Sequence, residues 1–484
     1  MSNTAISLTI IFSWIVLTLL IGVLAGIRKK FSLEGYLVSG RSLGLVFLYV
    51  LLAGEIYSAY AFLGIAGWAY SFGMPIMYAF AYGTIAYAFG YFFAEYIWRA
   101  GKKFNFVTQA DYFKQRYNSK GLAVLVALIG IVFNVPYLQL QLQGLGYILN
   151  ATSLGSISVD MGIVIGMIIM LAYVYTSGLR GIAWTNFMQS IMMFIIAWVI
   201  LFSIPFIKFG GISEMMKHLA QVKPHHLVLS GKLGIPWYVS TMVLSGLGFF
   251  MYPQMWPSIY SSKNLRTVKK TYVFLPLFSI FLLPIFLAGI SVAAAGIHLH
   301  KADEAVLAAV GMAYPKWVLG IVGAAGFAAA ASTASAIILT LAGLLSKNLY
   351  GMFKENASDK ELVLVSRISV LIFGLVAMFL ALFAGGRLVA LLLLAYSGIT
   401  QMFPGAFMGL FFKKFNKTAV TTGLIAGLIT IIYLKFFGPG NLLGIHFGLW
   451  GLLVNVVITF AISAVSKEDE NFKAFKEALQ SVKV

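Results

Sequence analysis

The stretch "LLAGEIYSAYAF", residues 51–62, holds a carboxylate, Glu55, inside a long apolar run. A second run, "GAAGFAAAASTASAIILT" at 323–340, sets the hydroxyls of Ser332, Thr333 and Ser335 among eight alanines. An acid that water cannot reach is costly and marks a role. It can neutralise a cation, carry a proton or touch a solute. Adjacent hydroxyls, joined by freed backbone carbonyls, supply the oxygens that a hard cation such as Na⁺ requires, by analogy with other oxygen-bound ions. The plainer alternatives are a neutral Glu bonded to a neighbouring helix, and a close-packed helix whose hydroxyls bond back to their own turn.

Other chemistry has little to stand on. There is no cysteine, and so no disulfide or thiol chemistry. Six histidines fall at 218, 225, 226, 298, 300 and 446, in expected loops, and the two-residue spacing of His298 and His300 suits no helical metal site. No phosphate-binding glycine loop and no catalytic pair is visible. The chain is therefore read as neither an ATP-driven pump nor an enzyme.

The elements that must position these groups are membrane helices. Charged residues make up 10% of the chain and apolar residues 61%, against about a quarter charged in average soluble chains. Apolar runs of 18 residues or more recur, each long enough to cross a bilayer as a helix. Thirteen spans are expected: 6–27, 44–68, 75–98, 122–149, 158–178, 184–207, 237–260, 271–297, 317–345, 366–385, 388–412, 418–436 and 444–465. With the N-terminus outside, 26 of the 34 Lys and Arg residues fall on the inner side, including "RKK" at 28–30 and "SKNLRTVKK" at 262–270. The positive-inside rule then puts the N-terminus outside and the C-terminus in the cytoplasm. The net charge of +19 belongs to topology and to lipid headgroups, not to nucleic acid. The tail 466–484 reads as an amphipathic segment on the inner surface.

Two spans look broken. The second carries Gly54 in mid-membrane; the seventh, "SGLGFFMYPQMWP", carries Gly246, Gly248, Pro253 and Pro257. Proline removes a donor and clashes with the preceding turn. In lipid the freed groups must find partners or line a cavity. Interrupted segments at matching positions of two halves point to a transporter binding site. They are five spans apart, which suits a five-plus-five inverted repeat over spans two to eleven (44–207 and 237–412), with 6–27 and 418–465 as additions to a single domain, 1–484.

At this point the chain resembles the sodium:solute symporter family. The likeness rests on "GRSLG" at 40–44, "GWAYSFG" at 67–73, "FVTQADYFKQRYNS" at 106–119, "GLRGIAWTNFMQ" at 178–189, "AAAASTASAIILTLAGLLSKNLY" at 328–350 and "QMFPGAFMGLFFKKFNKTA" at 401–419. The resemblance implies an all-α, leucine-transporter-type fold in the cell membrane and secondary symport. It implies a sodium site made by the carbonyls of Gly54, Tyr57 and Ala329 and the hydroxyls of Ser332 and Thr333. One position departs: many members have "WTD", where the Asp helps sodium leave, and this chain has "WTN", with Asn186. H⁺ is the alternative coupling ion. A narrower likeness, "GEIYSAYAFLG" at 54–64 with "FMYPQ" at 250–254, is to the monocarboxylate-permease branch, which implies a small organic acid as solute; amino acids, sugars and vitamins are carried elsewhere in the family. Expected solute contacts are Glu55, Ser58, Gln141 (in a "Q-L-x-G-x-G" pattern), Tyr252, Gln254 and Trp256. The partners expected are thus a small molecule and membrane lipid.

Overall fold

The computed structural model describes residues 2–26 and 32–482. The basic triplet at 28–30 and the inner end of the first span at 27 lie outside the described residues. Within them the chain is helical, with no β-strand beyond a single bridge between Leu43 and Ser262. Among the described residues nine helices are long and apolar enough to cross a membrane, or up to eleven if each of two bent pairs is one span. The outer surface is apolar: Leu20, Ile168, Ile195, Phe379 and Ile429 are exposed, as lipid-facing positions should be.

The elements that build the centre are α1 (Asn3–Leu24), α2 (Leu45–Ile56), α3 (Tyr60–Phe72), α4 (Tyr78–Phe104), α5 (Gln109–Tyr117), α6 (Lys120–Thr152) and α7 (Val159–Ile196) in the first half. The second half adds α8 (Ile212–Val222), α9 (Ile235–Gly248), α10 (Met255–Tyr260), α11 (Leu265–Phe274), α12 (Leu282–Ala294), α13 (Val318–Gly343), α14 (Asp359–Phe383) and α15 (Leu388–Ile399). Two further apolar helices, α16 (Lys417–Ile432) and α17 (Phe447–Val465), pair with each other, and α18 (Glu470–Gln480) closes the chain.

The alanine-rich α13 is the pillar of the bundle. Every residue from Gly323 to Leu344 is buried, and it packs against α1, α2, α6, α7 and α14. Small side chains are what let backbones approach this closely; the Tyr173 hydroxyl reaches the Ala331 carbonyl at 3.2 Å.

Two expectations need correcting. The fifth and sixth spans are not parted by a loop at 179–183. One continuous run, α7, is interrupted only at Gly178, whose φ of 55° and ψ of −149° leave the helical region. A side chain there would strike the Tyr36 carbonyl at 2.4 Å, so the bend and the close approach both require glycine. The eighth span is not one helix over 271–297. It divides into α11, a short turn at Pro276–Ser279, and α12, because Pro276 has no N–H with which to continue the ladder.

At the end of the bundle that holds the tail, α5 carries a capping box in which Thr108 and Asp111 satisfy each other's backbone. Asp111 also takes Lys347 at 2.9 Å and Asn348 at 2.9 Å, which ties α5 to the end of the pillar. The tail helix α18 docks beside it: the buried Arg116 pairs with Asp469, and Phe475 stacks on Phe104 with centroids 5.7 Å apart.

Candidate functional site: an oxygen cluster at a broken helix

Helices α2 and α3 meet at 54°. The interruption falls on Tyr57 and Ser58, where Tyr57 turns extended with ψ 94°. Gly54 itself stays within α2. A broken helix leaves donors and carbonyls that must be satisfied in lipid, and the sequence supplies a partner for each end. Ser58 caps the second half, its hydroxyl accepting from Ala61 N at 3.2 Å. Gln141 Oε1, reaching over from α6, accepts from Ala59 N at 2.7 Å.

The carbonyls of the first half turn toward α13. Ser332 Oγ lies 3.0 Å from Gly54 O, 3.2 Å from Tyr57 O and 3.0 Å from Ala329 O. Thr333 Oγ1 lies 2.9 Å from Gly54 O and 3.0 Å from Tyr57 O. Five short contacts therefore share two hydroxyl protons. Each hydroxyl can donate to one carbonyl at a time, so lone pairs are in excess. An excess of converging oxygens, none of them charged, is the donor set a hard monovalent cation takes. All five of these residues are buried.

Asn186 of α7 stands against this cluster. A Cβ on Gly54 would lie 2.4 Å from Asn186 Nδ2, and neither amide atom of Asn186 has a hydrogen-bond partner among the described residues. Close approach, rather than an unusual φ, is why residue 54 carries no side chain.

The second interruption falls at Tyr252–Gln254, between a turn ending at Met251 and α10. Glu55 faces it. Its Oε1 accepts from Ser258 Oγ on α10, so one hydrogen bond joins the two broken segments. Its Oε2 is buried without a partner among the described residues. Gln254 Oε1 accepts from Asn134 Nδ2 at 3.1 Å, while Gln254 Nε2 and the Tyr252 hydroxyl have no partner among the described residues.

The expected solute contacts thus divide. Glu55, Tyr252 and Gln254 line one cavity together. Ser58 and Gln141 are occupied in holding the break. Trp256 is turned away: its Nε1 donates to Phe250 O at 2.8 Å, and its ring packs on Tyr112 at 5.2 Å and Phe93 at 6.0 Å. Sequence reasoning missed Ser258 and Asn134. Ser258 lies one position after Pro257 and four after Gln254, and Asn134 lies seven before Gln141; only the fold pairs them with Glu55 and Gln254.

Residues 36–427 match the sodium:solute symporter family. The chain belongs to that family. A Bacillus subtilis (strain 168) protein named as uncharacterized symporter YhjB is 32% identical, over 98% of this chain and 99% of its own length. A monocarboxylate transport permease protein of Rhizobium johnstonii is 25% identical, over 96% of this chain and 97% of its own. The solved structure of a Na⁺-coupled sialic acid symporter, substrate-bound and outward-open, superposes with a TM-score of 0.81 at 18% identity, covering 96% of this chain and 98% of that one. This sodium:solute symporter therefore has the all-helical fold of that transporter. Membership makes it a multi-pass membrane transporter, not an enzyme.

Proposed function

We propose that this protein couples the inward flow of Na⁺ to the uptake of a small organic solute. The observation that carries the reading is the cluster of Gly54, Tyr57, Ala329, Ser332 and Thr333, in which five short oxygen contacts share two protons. Sodium would sit between the break in the second span and the pillar α13. Its binding draws α2 and α3 onto α13, and Glu55, one residue from the Gly54 carbonyl, is positioned at the solute cavity by the same contact. A ligand shifts a conformational equilibrium only through differential affinity for its states. A cation that needs oxygens from two separate elements has that differential, because it binds only when they are together. Asn186 then stands where an ion would leave, as a neutral group.

The chain would cross the membrane thirteen times. Gly178 splits the 38-residue α7 into two crossings, and α11 with α12 makes another. The two interruptions fall five crossings apart, which supports an inverted repeat of five plus five over 44–207 and 237–412. The bias of Lys and Arg supports an outside N-terminus and a cytoplasmic tail in the cell membrane.

The solute is read as a short monocarboxylate. The motif around Glu55 and the name of the Rhizobium relative support this. The test is uptake into proteoliposomes under a sodium gradient and, separately, a proton gradient: saturable uptake driven by sodium alone is expected, and uptake driven only by protons contradicts the reading.

A further inference from the structure

We propose that one anionic phospholipid binds in a groove between α4 and the tail helix α18, its phosphate held by Lys476 and Arg99 and the start of its acyl chains laid along Tyr96, Leu410 and Phe411.

The groove lies at the end of the bundle that holds the tail and has about 320 Å³ of free space, room for on the order of ten waters or more. Tyr96 and Arg99 come to it from α4, Phe472 and Lys476 from α18, and Leu410 and Phe411 from the chain after α15. It is therefore walled by three separate parts of the fold, and the tail completes it.

One face of α4 places the groove at the membrane surface. Phe92, Tyr96 and Arg99 follow one another at four and three positions, so they share that face. Phe92 is 68% exposed, as a lipid-facing ring should be. Phe411 is 48% exposed and meets the Tyr96 ring with centroids 5.9 Å apart. Seven helical residues rise about 10 Å. Within that rise the face passes from a bare ring, through a tyrosine of the kind found at bilayer interfaces, to a guanidinium. This is the change from acyl-chain depth to headgroup depth, and the groove opens across it.

Charge selects the headgroup. Glu95 is the one acid that lines the groove, and it is already taken. Its Oε1 pairs with Arg99 at 2.8 Å and its Oε2 with Lys269 at 2.6 Å. Arg116 is spent on Asp469. Among these groups and Lys476, four cations face two acids, a surplus of two positive charges. The Lys476 ammonium stands 5.6 Å from the centroid of the Phe472 ring and pairs with no acid among the described residues. Arg99 gives Nε and one Nη2 proton to Glu95, and Nη1 to the carbonyls of Leu479 and Val482. One Nη2 proton remains for a ligand. A phosphodiester brings a negative charge and acceptor oxygens to both cations. A choline headgroup brings its own cation, which the surplus repels.

The experiment is native mass spectrometry of the delipidated full chain in detergent, titrated with phosphatidylglycerol and phosphatidylcholine of identical acyl chains. The first phosphatidylglycerol should be held about tenfold or more tighter, as two uncompensated basic groups would give; equal affinity overturns the proposal. Lys476→Glu, at an exposed position, should bring the ratio close to unity, with Lys476→Gln in between. Lys360→Glu makes the same charge change at an exposed position at the start of α14, away from the groove, and should leave the ratio as it is. Selectivity lost equally in Lys476→Glu and Lys360→Glu, or in neither, overturns the proposal, since the general pull of a basic surface would then account for the binding. Glycerol 1-phosphate, the headgroup without its chains, should fail to displace the bound lipid at equal concentration; displacement would show a site for small anions and refute the lipid.

Discussion

Ser258 donates its hydroxyl to Oε1 of Glu55, 203 positions away in the chain, and that bond joins the segments beside the two helix interruptions. Ser258 also lies 3.2 Å from the Gln254 carbonyl of its own turn. Removing the hydroxyl leaves a buried carboxyl oxygen without its donor, a loss of about 1–3 kcal/mol. Ser258→Ala should lower the melting temperature of the purified protein, and Ser258→Thr, which keeps the hydroxyl, should restore it. Equal melting of the alanine and threonine variants would show that the bond does not hold the two segments together.

Gln141 is a second such support. Its Oε1 accepts the first free N–H after the break, Ala59 N, at 2.7 Å. Gln141→Leu deprives that N–H of its partner in a dry environment and should cost about 1–3 kcal/mol; Gln141→Glu keeps an acceptor and should cost less. Thermal unfolding in detergent checks the order. If leucine proves as stable as glutamine, Ala59 N has another partner.

Gly54 and Asn186 form a steric pair. The Cβ of a Gly54→Ala variant would fall 2.4 Å from Asn186 Nδ2 and 2.8 Å from its Cγ, but 3.3 Å from its Cβ. Gly54→Ala alone should weaken sodium binding by tenfold or more, since α2 must retreat from α13. Asn186→Ala removes the two closest atoms and should recover part of that loss in the double variant. Titration of sodium-dependent thermal stability gives the cycle. Strict additivity of the two losses would remove the pair from the account.

Asp303, between α12 and α13 on the side away from the tail, gives a pH prediction. It is 9% exposed, and its Oδ2 accepts from Leu388 N at 3.4 Å. Burial pushes its carboxyl up from the ordinary value near 3.8 to about 6, against the opposing pull of the Leu388 N–H and of Arg387. The folded state therefore holds a proton that the unfolded state has released. This term favours folding below pH 4, is lost as pH rises toward 6, and is gone above it, at most about 3 kcal/mol in all. Asp303→Asn should raise the melting temperature relative to the parent at pH 7–8 and leave it nearly equal at pH 4. A difference independent of pH would mean that Asp303 does not titrate in this range.

Much of the architecture is legible in the sequence, for a physical reason: in lipid an apolar run of helical length has few alternatives, and Gly or Pro in such a run marks where the backbone finds other partners. The proximity of Ser332 and Thr333 to Gly54 and Tyr57 is what the family resemblance implies; the alanines alone say only that the helix admits a neighbour at backbone distance. What the chain does not announce is which polar side chain serves the backbone and which faces open space. Gln141 and Ser58 read as solute contacts because they are polar in apolar surroundings, yet the break itself consumes them. Trp256 flanks the second interruption in sequence, but a helical turn rotates its ring into Phe93 and Tyr112. Ser258 is invisible because its partner is far away in the chain. Hydropathy places a loop at 179–183, because it does not see that one glycine, Gly178, suffices to bend the chain.

The most direct test of the central claim is the sodium dependence of uptake in a protein carrying both Ser332→Ala and Thr333→Ala, measured in proteoliposomes beside the parent chain. With two of five oxygens gone, the sodium concentration giving half-maximal uptake should rise by tenfold or more, and sodium-dependent thermal stabilisation should shift with it. Uptake that keeps the parent's sodium dependence in the folded double variant would contradict the account.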